Sequence, residues 1–215
     1  MGYNWEQWFS RIANRSDLTG RITHLTKPSC DTKGLSEDEI NQLATENLIT
    51  ILKDGVIYGS TTEKGFIVGE TPAVCFQDAP FYSLSQNVEH ELQRRRANPN
   101  ERYRYCGVGL AFQKHYIFSK GGRPVFYEQT ELAKTLLPEK EYWRIVNFKL
   151  LSENNPIDWT HEREWRLPNQ LKFELNSAHI LLYDKKVCWD FFLKNCPEEI
   201  FREIYGITIL KSLIM

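Results

Sequence analysis

Long apolar runs are missing from this sequence. Nowhere do about 18 consecutive apolar residues occur, so no segment reads as a membrane-spanning helix. The opening "MGYNWEQWFSRIANRSDL" lacks the apolar stretch of a secretory leader, and the expected location is cytoplasmic, with no membrane partner. Charge of one sign is missing too. Lys and Arg total 27 against 28 Asp and Glu, a net of −1, so no global field advertises a nucleic-acid or membrane surface. Cysteine is sparse and unpatterned: Cys30, Cys75, Cys106, Cys188 and Cys196 contain no CxxC pair. That predicts reduced core residues, not a disulfide frame or a zinc site. His24, His90, His115, His161 and His179 are too dispersed for a metal cluster, so no metal is expected. No GxxxxGK[ST], GxGxxG or GxSxG occurs, which removes the common ATPase, dehydrogenase and hydrolase readings. "GVG" at 107–109 lies inside a strand pattern and marks close packing.

What is present is enough for a real core: 41% hydrophobic and 13% aromatic residues in 215. "NWEQWFSRIA" has helical spacing and predicts a helix within 1–19, and "GRITHLTK" alternates as a strand does. "PSCDTKGLSEDEINQ" reads as a loop with a short helix starting near Ser36, and "ATENLITILKDG" as a helix stopped by Gly55. "PAVCFQDAP", "YCGVGLAFQK", "GRPVFYE", "EREWRLP", "AHILLYD" and "GITILKSLIM" read as strands. "LSQNVEHELQRRR", "TELAKTLLP" and "CPEEIFREIYG" read as helices, while "YWRIVNFKLL" fits either. The expectation is one α+β domain over 1–215, without repeats or linkers.

The stretch "WTHEREWRLP", residues 159–168, carries the densest chemistry. On a strand, Glu162, Glu164 and Arg166 share one face, with Trp165 and Leu167 on the other. One reading is a solvated row of alternating charge over a buried Trp165. The other is a carboxylate at the back of a cleft, placed to bond a sugar hydroxyl and stabilise a cationic anomeric carbon.

Set beside "RITHLTK", "ENLITILKDG", "VCFQDAPFYSL", "YRYCGVGLAFQK", "GRPVFY" and "HEREWR", this strand resembles the ADP-ribosyltransferase superfamily. The likeness runs over about residues 20–185 and is nearest to DarT-type toxins and to AbiGi-like proteins of bacterial abortive infection. It implies a mixed or antiparallel split sheet with peripheral helices. It also implies NAD as the ADP-ribose donor, and a role as a toxin or phage-defence effector with a cognate antitoxin or partner protein.

Residue by residue, the resemblance gives Glu164 the late-strand catalytic role, bonding the nicotinamide-ribose 2′-hydroxyl. Glu162 is the accompanying acid of an E-x-E pair that orients the acceptor or takes its proton. His24 matches an early-strand histidine that contacts a ribose, and Arg21 an early arginine of a second branch. Thr26, on the same strand as both, joins the NAD-binding set. Ser60, in "GSTT", stands for that second branch's serine strand. Tyr58, Phe81 and Tyr127 are candidates to stack on nicotinamide, with core packing as their other reading. "QDAPFY" has no arginine where the DarT-type pattern has one, leaving Arg123 or Arg166 to supply the cation.

"QRRRANPNERYRY" mixes Arg94, Arg95, Arg96, Arg102 and Arg104 with Tyr103 and Tyr105. Arginine grips phosphate and tyrosine stacks on bases, so Arg95, Arg96, Arg102 and Tyr103 are candidate contacts to a DNA or RNA acceptor; a solvated helix end is the other reading. Rival functions are a catalytically inactive antitoxin or binding module of the same fold, and a metal-independent nuclease using His161 with Glu162 or Glu164.

Overall fold

The structure is a computed structural model that describes residues 4–63, 67–98, 104–151 and 155–214. The strands are β1 (Arg21–Leu25), β2 (Val56–Tyr58), β3 (Ala73–Gln77), β4 (Gly109–Gln113), β5 (Arg123–Pro124), β6 (Phe126–Glu128), β7 (Ile145–Asn147), β8 (Glu164–Pro168), β9 (Gln170–Lys172), β10 (His179–Leu182) and β11 (Gly206–Ile209). The helices are α1 (Trp5–Ala13), α2 (Glu37–Asp54), α3 (Phe81–Ala97), α4 (Lys114–Ser119), α5 (Thr130–Leu136), α6 (Asp190–Asn195) and α7 (Glu198–Glu203). The chain is α+β, as its alternating helical and strand periods predict. It divides into two compact units. The first comprises Met1–Gly55, Ala79–Phe112 and Phe173–Met215; the second comprises Val56–Asp78 and Gln113–Lys172.

In the first unit the strand order is β11-β10-β4-β1. β10 runs antiparallel to β4, His179 opposite Ala111, and parallel to β11, His179 opposite Gly206. Leu110, Ala111, Ile180, Leu181 and Leu182 are wholly buried, as continuous apolar strands require when both faces are covered. "GVG" does mark close approach: a Cβ at Gly107 would lie 2.7 Å from the Tyr183 Cβ, and one at Gly109 would collide with the His24 carbonyl oxygen. Here only glycine fits, because another backbone or side chain already occupies the space.

Helix α2 is one continuous element where the sequence predicted a loop with a short helix and then a second helix. Ile40, Ala44, Leu48 and Leu52 fall at i, i+4 intervals, all at most 2% exposed, and no Pro or Gly interrupts that buried stripe. Ser36 caps its start as predicted: the Glu39 N–H donates to Ser36 Oγ at 3.3 Å, and the Ser36 N–H donates to Glu39 Oε2 at 2.8 Å. Gly55, at φ 63°, ends it. Asn4 caps α1 through a reciprocal bond with Gln7, and none of its residues is buried.

In the second unit β3-β8-β5 form an antiparallel ladder, accompanied by the antiparallel pair β2-β9 and the parallel pair β6-β7. Several predicted elements are trimmed. "GRPVFYE" breaks into β5 and β6, since Pro124 cannot donate to a ladder and the Val125 N–H turns to the Glu164 carbonyl. "YWRIVNFKLL" resolves into a 3₁₀ turn, Glu139–Arg144, followed by β7. "GITILKSLIM" is strand only to Ile209, after which Leu210–Leu213 form a 3₁₀ turn. Among the cysteines, all free, Cys106 and Cys188 are buried as expected, whereas Cys30 is exposed.

Candidate functional site

Strand β8 begins at Glu164, not at Glu162. Thr160–Glu162 form a 3₁₀ turn, and Arg163 adopts the left-handed conformation at φ 44°, an uncommon state for a long side chain. Glu162 therefore does not share a strand face with Glu164. Its half-buried carboxylate belongs to the turn, whose carbonyl accepts from the Asp78 N–H at 3.2 Å.

The charged face of β8 points inward. Glu164 is 8% exposed and Arg166 2%, while Trp165 is half-buried, so the reading of a solvated charged row over a buried Trp165 does not hold. Arg166 Nε donates to Glu164 Oε1 at 2.8 Å and Nη2 to Oε2 at 3.3 Å. Its Nη1 donates to the Trp143 and Ile145 carbonyls, both at 2.9 Å. A buried charge persists only when paired and fully hydrogen-bonded, and this guanidinium satisfies both conditions. Burial opposes its charge, but the Glu164 carboxylate and Cys75 together raise its pKa.

Directly paired residues on antiparallel strands share a face. Gln77 lies opposite Glu164, Cys75 opposite Arg166, and Arg123 opposite Arg166 from the other side. Gln77 is 8% exposed and its Oε1 is a buried acceptor without a hydrogen bond; so is Asp78 Oδ1. The other Asp78 oxygen, Oδ2, pairs with Lys114 Nζ at 2.8 Å. The Tyr127 hydroxyl accepts from the Glu164 N–H at 2.8 Å, and burial beside that strand pushes its pKa up to about 12. Burial, then the neighbouring Glu164, also raises the Cys75 thiol far above its ordinary value, so it stays neutral here. Cys75, Gln77 and Asp78 were not singled out from the sequence. Alternation through "VCFQD" would have put Cys75 and Gln77 on one face, but their register with Glu164 is a long-range pairing.

The remaining candidates fall in both units. Glu164, Arg166 and Tyr127 come together in the second unit, which also holds Tyr58 and Ser60. Tyr58 is 70% exposed, and Ser60 is exposed and pairs through its backbone with Ala73. Arg21, His24 and Thr26 lie in the first unit. Thr26 is buried, its hydroxyl accepting from Asn47 Nδ2 at 2.7 Å, and the Arg21 guanidinium lies over the Tyr205 ring at 4.6 Å. Phe81 packs against the core and against His179, ring centres 5.4 Å apart, which is the packing reading of that residue.

The basic stretch is largely structural where it is described. Arg95 is 8% exposed and donates to the Thr32 and Leu35 carbonyls at 2.9 and 3.0 Å, so it is no surface contact for nucleic acid. Arg96 is exposed but paired with Glu37 at 2.7 Å and Glu89 at 3.6 Å. Arg102 and Tyr103 lie outside the described residues. No group of metal-binding side chains occurs among the described residues.

Compared with known proteins, the chain matches no family model, no curated protein and no solved structure.

Proposed function

We propose that this chain is an NAD-dependent mono-ADP-ribosyltransferase with Glu164 as its catalytic carboxylate. The observation that carries the reading is the fixation of Glu164: a buried carboxylate at the head of a strand, clamped by Arg166 and opposite a buried Gln77 with an unused acceptor. A carboxylate offers about four lone-pair sites, so the Arg166 fork leaves capacity for further donors. The nicotinamide-ribose 2′-hydroxyl fits that capacity, and Gln77 Oε1 suits a neighbouring hydroxyl or the nicotinamide amide.

The chemistry then asks little beyond electrostatics. The C1′–N bond breaks, nicotinamide leaves as a neutral base with the bonding pair, and C1′ becomes oxocarbenium-like. A fixed negative charge beside it lowers the barrier without reorganisation; losing such help typically costs on the order of a hundredfold or more. The acceptor nucleophile bonds to C1′ and surrenders its proton, for which Glu162 is the nearby base. The sheet, on this reading, is of the ADP-ribosyltransferase kind, and the acceptor is a nucleic acid or a protein.

A second reading is favoured by the same clamp. Both Glu164 oxygens already face Arg166, the arrangement of a structural ion pair in a binding module that has lost its chemistry. Incubating the chain with labelled NAD and cell extract decides between them. Release of nicotinamide with label transferred to a nuclease- or protease-sensitive acceptor supports the transferase. NAD binding without nicotinamide release supports the binding module, and neither binding nor turnover overturns both.

A further inference from the structure

We propose that the second unit carries a separate pocket for a small phosphorylated ligand, built around Arg123, Lys140 and Arg144. The pocket has a volume of about 470 Å³ and is lined by these cations together with Glu141, Thr71 and Asn169. That volume falls in the roughly 300–1,000 Å³ range of small-molecule sites and is far too small for a folded macromolecule.

Its charge is unbalanced. Glu141 is spoken for, bonding Arg144 Nη1 at 3.1 Å. Arg123 is held rigidly but only by neutral groups: its Nη1 donates to the Phe118 and Gly122 carbonyls at 2.9 and 2.7 Å, and its guanidinium lies 3.9 Å from the Phe118 ring centre. Among the described residues neither Arg123 nor Lys140 has a carboxylate within ion-pair reach. Arg123 also sits directly opposite Arg166, whose own charge is consumed by Glu164.

Neutral residues complete the lining. Asn169, at φ 64°, is tied through its backbone, its N–H donating to the Pro72 carbonyl and its carbonyl accepting from the Gly59 N–H, both at 2.7 Å. Asn169 and Thr71 add uncharged polar residues to the lining. Two uncompensated cations, Arg123 and Lys140, beside the Arg144–Glu141 pair suit the several oxygens of a phosphate ester or diphosphate. The inference is independent of the chemistry assigned to Glu164.

The Trp143 indole N–H reports on the pocket directly, because Trp143 lines it and Nε1 donates to the Lys140 carbonyl at 2.9 Å. Following that resonance in the ¹⁵N-labelled full chain during titration with pyrophosphate, adenosine monophosphate and sulfate tests the proposal. The expected result is a saturable shift with pyrophosphate, weakened roughly tenfold or more in Lys140→Ala, where one charged hydrogen bond is lost. Glu141→Gln, which frees Arg144, tightens binding. Lys140 is exposed, so its removal does not threaten the fold. The proposal is overturned by no saturable shift, by an unchanged affinity in Lys140→Ala, by sulfate binding as well as pyrophosphate, or by a short oligonucleotide binding where pyrophosphate does not.

Discussion

The two units place their buried arginines against different groups. The first unit buries an apolar sheet and tucks Arg95 against the Thr32 and Leu35 carbonyls. The second buries a full ion pair, Glu164 with Arg166, on a face that also carries Cys75, Gln77 and Arg123. Burying both members of a pair costs more desolvation than an apolar pair of similar volume would. A protein that keeps such a pair gains little stability from it. The Glu164–Arg166 pair is therefore the feature on which the proposed chemistry turns.

The sharpest way to break that comparison is Arg166→Met. It leaves Glu164 buried without its partner, and a loss of about 3–5 kcal/mol in urea unfolding is expected. Adding Glu164→Gln, which removes the other charge as well, should recover much of that loss.

Acid should next expose the first unit. Burial, and then the nearby positive charge of Arg21, lower the His179 pKa from 6.5 to about 4. His179 Nε2 is 2.8 Å from Thr208 Oγ1, and its ring packs between Phe81 and Tyr205. The folded state thus binds fewer protons than the unfolded chain between those values. This contribution is complete above about pH 6.5 and is lost as pH falls towards 4, with a slope of at most roughly 1.4 kcal/mol per pH unit. Unfolding measured from pH 7 to 4 should show it, and His179→Asn should flatten the dependence.

The smallest effects separate two neighbouring arginines. Arg95→Ala removes two hydrogen bonds to main-chain carbonyls, of which Thr32 keeps the Leu35 N–H as donor, and should cost about 1–3 kcal/mol. Arg96→Ala removes pairs from a side chain that is 54% exposed, and screening by solvent should hold its cost below about 1 kcal/mol. A reversed ranking would return the basic stretch to the role of an interaction surface.

How much of this was legible in the sequence follows from the range of each signal. Local chemistry was readable: the Ser36 cap, the Gly55 stop and the crowding at Gly107 and Gly109 all follow from residue types and spacing. The inward turn of β8 was not. Alternation says that Glu164 and Arg166 share a face, but which face is buried depends on β3 and β5, and those pairings join residues far apart in the chain. The position of Glu162 failed for a local reason: Arg163 adopts a conformation that its residue type does not announce. Arg95 misled because arginine density looks the same whether guanidiniums face solvent or carbonyls.

The central claim, that the Glu164 carboxylate acts on NAD and is not merely half of a structural pair, is best tested in the double variant Glu164→Gln with Arg166→Met. Both buried charges are gone, so the fold should persist, and nicotinamide release can be measured beside the unaltered chain. Release by the unaltered chain, falling about a hundredfold or more in a folded double variant, is the predicted result. Equal release by both proteins would contradict it.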